Sequence, residues 1–545
     1  MSQERKTSRV LKFERDSKNG DFSASYQLSV MYRDGISVES DDSIANHYES
    51  LCAKQVESEC LRIASIRLVN FKGFKDLELE LPHESGVTVL VGNNGSGKST
   101  VLEGIKKCFT HAVSRITTQS KNGDAIEDIE IRHGSPHASI MLEFELGGKL
   151  FASSLSKSRA LSTSKLKSDF KELNDLCEIL KISASSSQSS PLPLLASYTV
   201  DRSIDVSTKD IDASKEFNES YEWNRASGYH KSLTGKSDFR LFFRWFQEQA
   251  ADESFSNADI RSLKNQLLSK KTDLESPFIN ELMSSEDSRK IGQRLIDDLQ
   301  GQIAELEAKL NVYLSSENLN RRLLTFVEQA IYTFLPGFKA LRVKRSPPDM
   351  TLVKDGVELS VLQLSQGEKS VLALVADIAR RLTLLNPQSS SPLKGCGVVL
   401  IDEIDLHLHP GWQQQVVPRL RSTFPNIQFI VTTHSPQVCH TVDSEHIWLL
   451  TDGRKFQAPK GTRGGVSSWV LENLFDVSPR PPGDEYTQKL REYKTLVFED
   501  KYDTPQAERL RGELRNHFGE AYDVLVELDL VIENKRWERS LEEGK

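Results

Sequence analysis

The chain has 545 residues, 38% hydrophobic and 27% charged, with a formal charge of −8. That length exceeds one ordinary core, so several structural units are expected, and the acidic balance leaves any nucleic-acid contact to a local patch. No apolar run of about 18 residues offers a membrane span, and Met1-Ser2-Gln3-Glu4-Arg5-Lys6 leads into no apolar signal segment.

Six cysteines (Cys52, Cys60, Cys108, Cys177, Cys396 and Cys439) are scattered without paired ligand spacing. They suit a reducing cytosol better than a disulfide frame or a zinc site, so a cytoplasmic protein is expected. Residues 1–60 read as an extension before the first strand, and its polar stretch from Thr7 to Ser25 reads as a mobile start.

Residues 61–238 read as an α/β lobe. Val87-Thr88-Val89-Leu90-Val91 is a β-branched, apolar run of the kind found in buried parallel strands. It feeds into Gly92-Asn93-Asn94-Gly95-Ser96-Gly97-Lys98-Ser99-Thr100, which matches the phosphate-binding pattern G-x-x-x-x-G-K-[ST]. The glycines let successive N–H groups face phosphate, Lys98 supplies charge to the β- and γ-phosphates, and the Ser99 hydroxyl is placed to ligand Mg²⁺. Val101-Leu102-Glu103-Gly104-Ile105 then reads as a helix start, whose dipole adds to anion binding. ATP with Mg²⁺ is the expected ligand.

Further along, Ser183-Ala184-Ser185-Ser186-Ser187-Gln188-Ser189-Ser190 reads as a flexible loop, and Leu194-Leu195-Ala196-Ser197-Tyr198 as a strand. Arg202 at its end could reach a nucleotide or the dimer interface, but a structural salt bridge is the better reading. Residues 239–335 turn helical. Phe239, Phe242, Phe243 and Phe246 repeat at helical spacing, while Leu295, Leu299, Ile303, Leu306 and Leu310 approach a heptad seam. A helical hairpin of a few nanometres fits this insertion.

Residues 336–455 read as a second α/β lobe. Gly397-Val398-Val399-Leu400-Ile401 is an apolar strand ending in Asp402 and Glu403. An isolated acidic pair there would be a solvated strand end. Beside a phosphate loop, Asp402 takes the role of Mg²⁺ ligand and Glu403 that of the base for the attacking water. Phe429-Ile430-Val431-Thr432-Thr433 ends in His434, which is placed as a γ-phosphate sensor. Arg321, Arg322, Lys339, Arg342, Lys344 and Arg345 are the best basic cluster, and ordinary solvated surface is their bland reading.

The order of phosphate loop, Leu364-Ser365-Gln366-Gly367-Glu368, Asp402-Glu403, Asp405-Leu406-His407-Leu408-His409-Pro410 and Thr433-His434-Ser435-Pro436 resembles the SMC/RecF/OLD branch of ABC ATPases. Leu61-Arg62-Ile63 through Phe74 is similar to that branch's opening strand and turn. Within the branch the chain most resembles the PtuA ATPases of Septu and retron-linked antiphage systems, by length, the short insertion and a tail without a nuclease domain. The resemblance implies an ABC-type ATPase head, a P-loop NTPase fold with a short helical insertion and a helical C-terminal tail. Its signature loop, with Ser365, Gly367 and Glu368, would close over the nucleotide of a second copy, which makes a homodimer or higher homo-oligomer the expected state. His407 and His409 then belong to a loop facing the partner subunit rather than to a metal site. The family's Mg²⁺-contacting glutamine has no unambiguous counterpart; Gln119 is the nearest candidate, and a solvated loop residue describes it equally well.

Residues 456–545 read as a charged, mostly helical tail. Leu496-Val497-Phe498-Glu499-Asp500 superficially resembles the acidic strand of a Toprim nuclease but lacks the partner acids. The resemblance therefore implies a regulatory ATPase acting with an HNH nuclease of the PtuB type and, in retron systems, with a reverse transcriptase and its DNA–RNA product. A RecF-like DNA-repair ATPase and an OLD-like nuclease are the alternatives.

Overall fold

The computed structural model describes residues 7–82, 86–117, 122–160, 165–186, 190–203, 223–235, 239–277, 279, 289–345 and 348–543. Three helices come first: α1 (Ser8–Lys18), α2 (Phe22–Asp34) and α3 (Asp42–Val56). The polar stretch expected to be mobile is instead ordered here. Its polar side chains are caps and cross-links: Thr7 caps α1, the Ser17 and Ser25 hydroxyls lie 2.7 Å apart, and Gln55 donates to the Ser17 carbonyl. Val10, Leu28, Met31, Tyr32 and Ala45 form the small core beneath them.

An antiparallel sheet in the order β2-β1-β4-β5 follows from β1 (Arg62–Val69), β2 (Asp76–Glu80), β4 (His137–Leu146) and β5 (Lys149–Ser158). Between its strands the chain inserts β3 (Val87–Val91) and α4 (Lys98–Thr117), then continues through α5 (Lys171–Ser186) to β6 (Leu194–Tyr198). The serine-rich segment begins inside α5 rather than as a loop. Ser183 is buried, and the Ser185 hydroxyl satisfies itself on the Lys181 carbonyl.

The hairpin expected from the heptad spacing is present as α6 (Phe239–Leu274) and α7 (Arg289–Phe334). At about 1.5 Å per residue these run roughly 50 and 70 Å. Phe239, Phe242, Phe243 and Phe246 are all buried at its foot. After β7 (Phe338–Arg345), β8 (Pro348–Lys354) and β9 (Val357–Ser360), which form a small sheet, comes α8 (Gln366–Leu385).

The main sheet is completed by β10 (Gly397–Ile401), β11 (Ile427–Thr432), β12 (Ile447–Thr451) and β13 (Arg454–Gln457), with α9 (Pro410–Thr423) and the short α10 (Pro436–Cys439) between them. Its order is β13-β12-β3-β11-β10-β6, and β12, β3, β11, β10 and β6 are parallel. Every residue of β3, β6, β10 and β11 is buried, as expected for strands covered on both faces. The Gln428 side chain bonds both the N–H (2.8 Å) and the carbonyl (3.0 Å) of Ile63, pinning β11 to β1. This is the expected mixed α/β head with a helical insertion.

Residues 465–545 are a separate compact unit. It contains α11 (Ser467–Phe475), α12 (Glu485–Phe498), α13 (Pro505–Phe518) and α14 (Asp523–Glu543). Leu490, Tyr493, Val497, Leu510, Leu514, Leu525 and Leu528 make its core. Leu496, Val497 and Phe498 are helical rather than strand, and Asp500 is engaged by Arg539 (2.7 Å) and Lys535 (3.4 Å). No helix among the described residues is long and apolar enough to cross a membrane.

Candidate nucleotide site

The phosphate loop leaves the C-terminal end of β3 and turns into α4. The first bond of the helical ladder runs from Val101 N–H to Gly97 O (3.0 Å), so the amides of Lys98, Ser99 and Thr100 precede it and are directed at the loop. Gly97 has φ +96, and a Cβ there would lie 2.3 Å from Cζ of the buried Phe74 ring. The Phe74 ring therefore floors the loop and leaves no room for a side chain at Gly97. A cavity of about 250 Å³ lies over Asn93, Asn94, Gly95, Ser96, Gly97 and Thr100, with Gly73 and the Thr451–Gly453 turn as its wall.

Lys98 folds back into this loop, its Nζ donating to Gly92 O (2.8 Å) and Asn93 O (3.2 Å). Burial pushes its pKa down, opposed by the charges of Asp402, Glu403 and Asp405. The lysine thus lies in the field of the carboxylates that follow β10. Ser99 is exposed, so its hydroxyl is accessible.

Those carboxylates are held by neighbouring strands. Asp402 N–H donates to Tyr198 O (2.8 Å), continuing the β6–β10 ladder. The Thr432 hydroxyl donates to Asp402 Oδ1 (2.5 Å) and accepts from Glu403 N–H (2.7 Å). Glu403 itself has φ +47, an uncommon conformation for a residue with a Cβ. That bend lets Ile404 N–H bond Thr432 O at 2.9 Å, so it is fixed by the strand beside it. Half-buried His434 emerges from β11, between β3 and β10. Lys98, Asp402, Glu403 and His434 therefore leave adjacent parallel strands at the same C-terminal edge, the usual ligand-binding edge of such a sheet. Ser99 and Asp402 supply the oxygen donors that suit a hard divalent cation.

Ser365 lies on another element, as the exposed N-cap of α8. Glu368 Oε2 accepts from Ser365 N–H (3.0 Å) and Oγ (2.8 Å), closing a capping box, and Glu368 Oε1 pairs with Lys354 on β8 (2.6 Å). A Cβ on Gly367 would stand 2.6 Å from His407 O, so the signature loop packs on the backbone of the loop after β10. His409 caps α9 through its ring, and Gln413 joins Leu408 O (2.8 Å) to the Ser435 hydroxyl (2.7 Å), beside His434.

Gln119 lies outside the described residues, as does the side chain of Arg202. The basic cluster is divided between α7 and β7: Arg322 donates to Pro387 O and Lys344 pairs with Glu358 (2.9 Å), while the side chain of Arg345 is outside the described residues.

Sequence reasoning missed Thr432 as the clamp on both acids. It also missed a buried network behind them. Asp377 on α8 accepts from Arg380 (2.6 Å), Arg381 (2.8 Å) and the Tyr198 hydroxyl (2.9 Å). Arg381 continues to the carbonyls of Gly228 (2.9 Å) and His230 (2.8 Å). The available signal was three charges inside the apolar run of α8, where charge is tolerated only when paired.

With that geometry in place, residues 62–439 match the family model for an AAA ATPase domain. The chain belongs to this ATPase family. It is 49% identical over 539 residues to the retron Ec83 probable ATPase of Escherichia coli, covering 99% of each chain. It is 33% identical to the retron Vc95 probable ATPase of Vibrio cholerae, covering 92% of this chain and 96% of that one. A segment of 125 residues is 47% identical to the Septu protein PtuA of Bacillus mycoides, covering 21% of this chain and 17% of PtuA. The chain is thus an ATPase, similar over nearly its whole length to two retron probable ATPases.

Proposed function

We propose that this ATPase is the nucleotide-controlled subunit of an antiphage defence complex of the retron type. In this reading ATP, with Mg²⁺ held by Ser99 and Asp402, occupies the phosphate loop of one copy. The signature loop of a second copy closes over it. Lys98 neutralises phosphate charge, Glu403 accepts the proton of the attacking water, and His434 donates to the phosphate edge. The closed dimer offers a changed surface to a partner, for which an HNH nuclease of the PtuB type is the fitting chemistry, alongside a reverse transcriptase with its DNA–RNA product.

The observation that carries this reading is the exposure of Ser365 on a braced loop. Its capping box, the Lys354–Glu368 pair and the Gly367–His407 packing hold a hydroxyl-bearing loop outward on an element distinct from the phosphate loop. The near-full-length likeness to two retron ATPases supports the defence setting.

Mixing two inactive variants tests it. Ser365→Arg keeps an intact phosphate loop and Lys98→Ala keeps an intact signature loop, so a mixed dimer regains one competent site. Hydrolysis should return on mixing. No recovery, although labelled subunits demonstrably exchange, would overturn the two-chain site.

A further inference from the structure

A second cavity, of about 480 Å³, opens at the foot of the α6–α7 hairpin and shares no lining residue with the nucleotide site. Its volume lies within the usual range for small-ligand sites. The indoles of Trp223 and Trp245 line it together with Leu323 and Leu384. Trp223 is held by its N–H on Glu248, which Arg244 fixes in turn at 2.6 Å, and the Arg380 guanidinium stands 6.0 Å from its ring centre. Trp245 is fully buried.

Two polar groups in the lining point to a ligand. Gln249 lines the cavity and is 7% exposed. Its carboxamide offers both donors and an acceptor to a ligand. Arg225 donates to three carbonyls, those of Leu385 (2.8 Å), Ala184 (3.1 Å) and Ser190 (2.6 Å), and forms no ion pair with a carboxylate among the described residues. Among the described residues no aspartate or glutamate lines the cavity, and Arg225 gives that lining a positive charge.

We propose that this cavity binds a nucleotide at a site separate from the phosphate loop, with the Trp223 indole as an apolar wall for the base, Gln249 reading the base edge and Arg225 attracting the phosphate. Aromatic walls favour any base by stacking, and a carboxamide pairs with the mixed donor–acceptor edge that bases present. The nucleotide could be a free mononucleotide or one unstacked from single-stranded nucleic acid; the recognising chemistry is the same.

The test uses full-length protein carrying Lys98→Ala, so that the phosphate loop does not contribute. AMP, GMP, CMP and UMP, and decamers of dA and dT, are titrated by calorimetry and by tryptophan emission. Binding should appear with at least one probe, and both Gln249→Leu and the cavity-filling Leu323→Trp should weaken it by about tenfold or more. Gln249→Leu replaces a carboxamide with an apolar side chain of similar size, so its unfolding midpoint should not fall, and this separates loss of binding from loss of fold. Saturable mononucleotide binding assigns a free nucleotide; binding of the decamers alone assigns an unstacked base. No binding by any probe, or binding that neither cavity variant weakens, would overturn the proposal.

Discussion

The Tyr198 hydroxyl donates to Asp377 Oδ2 over 2.9 Å, joining the strand beside Asp402 to the helix that Ser365 caps. Both residues are fully buried, and Arg380 and Arg381 complete the network. Burial alone would raise the Asp377 carboxyl pKa, but Arg381 and Arg380 hold it below its ordinary value. Tyr198 is pushed up by burial and by Asp377, so it stays a neutral donor.

Removing the carboxylate should be far worse than removing the hydroxyl. Asp377→Asn leaves two buried guanidiniums without their counter-ion and should cost about 3–5 kcal/mol. Tyr198→Phe removes one hydrogen bond and should cost about 1–3 kcal/mol. Urea unfolding of both variants at neutral pH checks the order. Because the folded pKa of Asp377 is depressed, its contribution is present above the unfolded carboxylate value and fades as pH falls through the folded one. The acid limb of the wild-type stability profile should therefore be shallower in Asp377→Asn; superimposable slopes would remove this group from the acid response.

Two charged groups of the proposed nucleotide site should fail differently. Lys98→Ala should abolish ATP binding. Glu403→Gln should still bind ATP but hydrolyse it about 10²–10⁴-fold more slowly, since only general-base catalysis is lost. Equilibrium binding and single-turnover hydrolysis separate the two, and equal ATP affinity in wild type and Lys98→Ala would sink the assignment of the loop.

Gly367 offers a subtler probe. The atom that an added Cβ would meet is the His407 carbonyl, part of the backbone, so the signature loop itself must shift. Misplacement by about 1 Å can cost roughly 100-fold in rate. Gly367→Ala should therefore depress hydrolysis while ATP affinity at the phosphate loop stays close to wild type. A variant with normal turnover would show that this packing does not position the loop.

Purified alone with Mg²⁺ or Mn²⁺, the chain should not cut plasmid, single-stranded DNA or tRNA. In the proposed function Asp402 and Glu403 serve the nucleotide site, and Asp500 is committed to Arg539 and Lys535. Cleavage should appear once the proposed partner nuclease is added, and it should respond to ATP. Cutting by the isolated chain that is lost in Asp500→Ala would favour an OLD-like nuclease instead.

Short-range pattern determined a good deal of this protein. The glycine spacing of residues 92–97, the apolar runs of β3 and β10 and the heptad steps of α7 each encode a local backbone geometry, so the strand–loop–helix turn, the acidic strand end and the hairpin were legible from neighbouring residues. Composition was a poor guide from Thr7 to Ser25, where the same polar residue types that make loops also cap and cross-link helices. Only the tertiary structure decided which strands lie side by side. The order β3-β11-β10-β6 places Thr432 against Asp402 and Glu403, and Tyr198 meets Asp377 across 179 positions of chain. Such pairings follow from crossover connections and from the need to satisfy buried charge, and no local periodicity encodes either.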